Sequence, residues 1–131
     1  MSTPTPLGLL LCDDLIFSSR ITGTAKALGL VVNTARDIDG LSRMARKEPP
    51  TCVLLDLQHA QLDLVSLLSE LRSIGPMRVV GYGSHVDAAT LHAARVAGCD
   101  PVLPRSRFVE ELPTALPRWL GAERDAAVSE M

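Results

Sequence analysis

Only three cysteines occur in 131 residues, Cys12, Cys52 and Cys99, and no CxxC pair is among them. An odd set without that spacing speaks against a disulfide framework. Each thiol lies in or beside an apolar segment, so reduced core thiols in a cytoplasmic protein are expected. A basic run is also missing, and the formal net charge is −2, which disfavours nucleic-acid binding. The first apolar run has no basic region ahead of it, and aspartates interrupt it at once. Neither a signal peptide nor a membrane span is therefore expected. Repeats and low-complexity segments are absent too. What is present is a globular composition, 47% hydrophobic and 21% charged, in a length that suits one domain around one core.

The hydrophobic pattern alternates between two kinds of segment. Residues 7–12 are apolar apart from Gly8, as in a strand covered on both faces. Phe17, Ile21, Ala25 and Leu28 follow at helical spacing, with Gly29 as a stop. Leu30, Val31 and Val32 form a short strand pattern. Asp37 opens a helix with Ile38, Leu41 and Met44 or Ala45 on one face, ended by Pro49 and Pro50. Cys52 to Leu55 is the third strand, and Leu64, Leu67, Leu68 and Leu71 mark the next helix, closed by Gly75 and Pro76. Met77 to Val80 reads as strand four, Val86, Ala89, Ala93 and Ala97 as a lightly built helix face, and Val102–Leu103 as strand five. Phe108, Leu112, Leu116 and Leu120 form a final helical stripe, in which Pro117 predicts a kink or break.

Five strand–helix units too short for separate domains imply an α/β fold: a doubly wound parallel sheet with right-handed crossovers and helices on both faces. Carboxylates end two of the strands, Asp13 and Asp14 after the first and Asp56 after the third. Those strands should be central neighbours, as in the order 2-1-3-4-5, because ligands of open α/β sheets bind beyond the strand ends. The domain is expected over residues 7–120, with a tail at 1–6 and a tail or helix extension at 121–131. Three converging carboxylates would repel one another and call for a cation. Mg²⁺ suits such oxygen ligands, and Asp56 could then present an oxygen to a phosphoryl donor. Capping of the following helix accounts for Asp13 and Asp14 equally well.

These segments carry a resemblance to the receiver domain of two-component response regulators over about residues 7–120. Leu9-Leu10-Leu11-Cys12-Asp13-Asp14 is similar to that family's first strand and acidic pair, and Val53-Leu54-Leu55-Asp56-Leu57 to its phosphoacceptor strand. Ala94-Arg95-Val96-Ala97-Gly98-Cys99-Asp100 is similar to the approach to its fifth strand. The resemblance implies a flavodoxin-like, CheY-like three-layer sandwich, a phosphoryl group taken by Asp56 from a histidine kinase, and Mg²⁺ held by Asp13, Asp14, Asp56 and the carbonyl of Gln58. It implies a signalling module rather than an enzyme, with protein partners such as a kinase or an output domain. Homodimers would form through the fourth helix, fifth strand and last helix.

Departures from the family pattern cluster in the part that converts phosphorylation into movement. Where the family has a hydroxyl residue at the end of strand four, this chain has Gly83, and Ser84 one step later is the available substitute. Arg105 stands where the family has lysine, keeping the charge but on a larger planar fork. Ser106 replaces the proline after it. A cis bond before a non-proline residue costs about 3 kcal/mol, so a trans bond is expected there. Val102 replaces the aromatic switch residue, and His59-Ala60 replaces Met-Pro. The pattern is that of a divergent receiver, or pseudo-receiver.

Other readings compete for the same crevice. One is a small-ligand or nucleotide sensor using Gly81-Tyr82-Gly83-Ser84 as a phosphate-cradling loop, although the Lys-Ser/Thr pair of a P-loop is missing. Another is an aspartate-nucleophile phosphohydrolase, which needs an acid two residues on, where Gln58 and Leu15 stand. His59 is close enough to Asp56 for a ligand or acid–base role, or is simply a loop histidine. His85 and His92 have no third ligand at zinc spacing.

Overall fold

The strands β1 (Gly8–Leu11), β2 (Val32–Ala35), β3 (Cys52–Asp56), β4 (Arg78–Gly83) and β5 (Val102–Pro104) alternate with α1 (Leu15–Ala27), α2 (Ile38–Lys47), α3 (Leu64–Ile74), α4 (Ala88–Ala97) and α5 (Arg105–Trp119). The computed structural model describes residues 5–122, so most of the tails expected at 1–6 and 121–131 lies outside the described residues. Every strand pair is parallel and the order is β2-β1-β3-β4-β5. This is the doubly wound α/β sheet that the strand-end carboxylates require. Among the described residues no helix is long and apolar enough to cross a membrane, and Cys12, Cys52 and Cys99 are free and buried.

The central strands are continuously apolar because both their faces are covered. Leu9, Leu11, Val53 and Leu55 point toward α2, α3 and α4, where they pack with Leu41, Leu67, Leu71 and Leu91. Leu10, Cys12, Leu54 and Val80 point the other way, onto Phe17 and Ile21 of α1 and Phe108, Leu112 and Leu116 of α5. Four helices start at an aspartate: Asp14, Asp37, Asp63 and Asp87 accept the backbone N–H of Phe17, Gly40, Ser66 and Thr90. These side chains satisfy donors that a helix leaves unpaired in its first turn.

Four expectations shift. The second strand starts later than Leu30, because the Leu30 N–H returns to the Ala25 carbonyl at 2.8 Å in closing α1, with Gly29 at φ 75°. As an edge strand it then tolerates Asn33 and Thr34. The fourth strand runs on through Gly81, Tyr82 and Gly83, so these are not a loop. Leu57 and Gln58 lie against the strand there: a Cβ at Gly81 would meet Leu57 at 3.0 Å, and one at Gly83 would meet the Gln58 Oε1 at 2.5 Å. Glycine in a strand often marks such close approach. In α4 the buried positions are Leu91 and Ala94 rather than Ala89 and Ala93, since Asp87 caps the helix and leaves Val86 in the preceding turn, 79% exposed. Finally, α5 is not broken at Pro117; its buried stripe of Phe108, Leu112, Ala115, Leu116 and Trp119 holds both proline-containing turns on the sheet. The Arg105–Ser106 bond is trans, as expected.

Candidate functional site

The carboxyl ends of β1, β3 and β4 meet where the loops to α1, α3 and α4 leave the sheet. Register pairs Leu11 with Leu55 and Asp56 with Tyr82, which sets Asp56 at the last position of the central strand with Asp13 and Asp14 just beyond its neighbour. Asp56 is half-buried, and its Oδ1 accepts the Gln58 N–H at 2.9 Å. Burial pushes its pKa up; the Gln58 amide and Arg105 oppose that rise, and Asp13 adds to it. Desolvation, more than repulsion among carboxylates, is thus what perturbs this group.

Asp14 is engaged on both oxygens. Oδ1 accepts the Phe17 N–H at 3.0 Å, and Oδ2 faces Arg105 Nη2 at 3.2 Å. The Phe17 amide, with Arg105 second to it among the stabilising contacts, holds its pKa below the usual carboxylate range. The Arg105 guanidinium also lies over the Phe17 ring, 3.9 Å from its centroid. Its planar fork therefore reaches Asp14 and an aromatic face at once, which a lysine ammonium would not do in the same way. Asp13 is exposed. Among the described residues no group of three His, Cys, Asp or Glu side chains comes together to hold a metal. Asp14 spends one oxygen on its cap and the other on Arg105, so the capping reading of Asp14 is realised.

The strand-end position that lacks a hydroxyl is filled from across the sheet. Gln58 folds over Gly83: its Oε1 accepts the Ser84 N–H at 2.9 Å and its Nε2 donates to Asp87 Oδ2 at 3.2 Å. The Ser84 hydroxyl accepts the Val86 N–H at 3.3 Å and so belongs to the turn before α4. Only glycine at 83 leaves room for this amide bridge. On the far side, His59 is buried, with Nε2 2.8 Å from the Arg36 carbonyl and Nδ1 accepting the Gln61 N–H at 3.2 Å. Both ring nitrogens are used in tying loops together, which explains the residue without a ligand or acid–base role. His85 and His92 are exposed and belong to no such group.

Residues that the periodicity did not single out as functional complete the site. The chain has only four aromatic residues, and all four stack on one face of the sheet. Tyr82 lies on Phe108 at 4.5 Å and against Phe17 at 5.2 Å, while Phe108 lies on Trp119 at 5.8 Å. Tyr82 is 1% exposed, and its hydroxyl has no hydrogen-bond partner among the described residues. The Cys12 thiol lies beside it and also faces the Asp14 carbonyl at 3.5 Å. Burial first, and the Asp56 charge second, push the phenol pKa up. A cavity of about 650 Å³ opens here, walled by Phe17 and Arg20 of α1, Tyr82 and Ser84, and Arg105 and Val109 of α5, with Asp56 at its edge. Arg20 lies in the sequence as one more surface cation; only packing brings it to the same cavity as Arg105.

No protein-family model and no curated protein matches the chain. Solved structures do. The receiver domain of Francisella response regulator 1452 is 19% identical, with 89% of this chain and 98% of that one covered and a TM-score of 0.75. The receiver domain of NtrX from Brucella abortus is 24% identical over 87% of this chain and 98% of that one, with a TM-score of 0.74. A co-crystal structure of the Saccharomyces cerevisiae histidine phosphotransfer protein Ypd1 and the receiver domain of its downstream response regulator Ssk1 contains a match at 14% identity. That match covers 95% of this chain and 94% of that one, with a TM-score of 0.76. The chain has the fold of response-regulator receiver domains.

Proposed function

We propose that this domain is a divergent receiver that acts in signal transduction mainly through protein–protein contacts. The observation that carries the reading is Asp56 at the end of the central strand, beside Asp13 and Asp14 and within the field of Arg105. Asp56 is the group that would accept a phosphoryl group, from a histidine kinase or a phosphotransfer protein of the kind crystallised with Ssk1. Arg105 supplies positive charge in the place of lysine, and Ser84 is the nearest hydroxyl beyond Gly83. Asp13 and Asp56 are the carboxylates left for a cation, with the Gln58 carbonyl as a further oxygen.

Switching, by contrast, is poorly supported. Arg105 is already held by Asp14 and Phe17, Gln58 already ties β4 to α4, and Val102 has no ring to rotate. A ligand shifts a conformational equilibrium only by contacts that differ between its states. The surface of α4, β5 and α5, where Val86 and Val96 are 79% and 75% exposed, is the proposed site of homodimers or of an output domain. As a phosphohydrolase the site lacks its acid, since the Gln58 amide is engaged two residues after Asp56.

Amide NMR with beryllofluoride and MgCl₂ tests this reading. Small shifts confined to the surroundings of Asp56 are expected, with residues 86–116 keeping one conformation and one association state. Large saturable changes at Val102, Arg105 and the start of α4 would restore a conventional switch.

A further inference from the structure

The cavity reaches well past the phosphoacceptor. From Asp56 it extends to Arg20, one helical turn beyond Phe17 on α1, and to Val109, one turn beyond Arg105 on α5. Its volume, about 650 Å³, falls in the range of small-molecule sites, which combine apolar walls with a few convergent polar groups. Two arginines line it against one carboxylate, and among the described residues Arg20 makes no ion pair. Phe17 and Val109 supply apolar wall.

We propose that this cavity binds a small organic anion, a carboxylate on an apolar body, with its charge on Arg20 and Arg105. Arginine suits the planar, bidentate geometry of a carboxylate. The apolar body lies along Phe17 and Val109, in the groove between α1 and α5. Occupancy would set the strand-end loops directly, with no phosphoryl group on Asp56. The proposal does not depend on phosphoryl acceptance.

The test uses 2-naphthoate as probe, 2-naphthamide as its uncharged counterpart and inorganic phosphate as a bare oxyanion, each titrated into the whole chain and followed by amide NMR. Saturable shifts at Arg20, Ser84, Arg105 and Val109 with naphthoate are expected. The amide, or the Arg20→Gln variant, should bind about tenfold more weakly. Equal binding of naphthoate and naphthamide, or no saturable shift, would overturn the proposal. So would inorganic phosphate giving the same shifts at equal affinity, because the site would then recognise an oxyanion alone. Beryllofluoride binding at Asp56 is read separately, so either conclusion can fall without the other.

Discussion

Replacing Gly83 by alanine isolates the bridge that Gln58 makes over the end of β4. The new Cβ would stand 2.5 Å from the Gln58 Oε1, inside van der Waals contact, and the side chain must swing away. With it goes the bond from the Ser84 N–H, 2.9 Å long, a neutral hydrogen bond worth about 1 kcal/mol net. The exposed Gln58–Asp87 contact adds little in water. Against this, alanine restricts the unfolded chain, which stabilises by about 0.4–1 kcal/mol where the native backbone accepts it. Gly83 is not among the positive-φ glycines. The two effects nearly cancel, so the single variant should change stability little and decide nothing. The double-mutant cycle with Gln58→Ala decides. In that background the amide is gone and the nearest neighbour left to the new Cβ is the Leu91 Cδ2 at 3.3 Å, so Gly83→Ala should be more favourable than in the parent. A coupling of about 1 kcal/mol is expected in urea denaturation with unchanged m-values. Additivity within about 0.3–0.5 kcal/mol would refute the claim that Gly83 exists to admit Gln58. Hydrogen exchange at the Ser84 amide should accelerate alike in both single variants.

Two further outcomes follow from the same geometry. Burial raises the Asp56 pKa above its unfolded value, so the folded state holds this proton more tightly. Stability from this group is then greatest below the unfolded pKa, about 4, and is lost as pH rises through the folded one. Asp56→Asn should therefore raise the melting temperature at neutral pH, with the gain fading on acidification; a variant less stable at neutral pH contradicts the argument. Pro117 leaves the Pro113 carbonyl without its helical donor in an otherwise continuous α5. Pro117→Ala should stabilise the domain by up to about 3 kcal/mol in chemical denaturation, and a loss would mean that proline is needed at the helix end.

The order of elements and the sheet were legible in the chain because burial on two faces writes itself as apolar runs, and helices as 3.6-residue stripes. Asp13, Asp14 and Asp56 could be placed at strand ends for the same reason: a charge directly after a buried run has nowhere else to go. What those residues do to one another was not legible. Asp14 and Arg105 are 91 positions apart and meet only because β1 and the start of α5 share the carboxyl edge of the sheet. The sequence marks Gln58 only for its backbone carbonyl; that its side chain spans to Ser84 and Asp87 is a contact that exists only once β3 and β4 pair. Gly81 and Gly83 carry turn chemistry in isolation, and the strand wins because Leu57 and Gln58 need the space a side chain would take. Tyr82 gives no periodic signal of its own. Its buried hydroxyl and the cavity it shares with Arg20 and Arg105 arise from three elements converging, which local pattern does not encode. Sequence determines which residues are buried and where strands end; the tertiary structure decides which distant charges, amides and rings become neighbours.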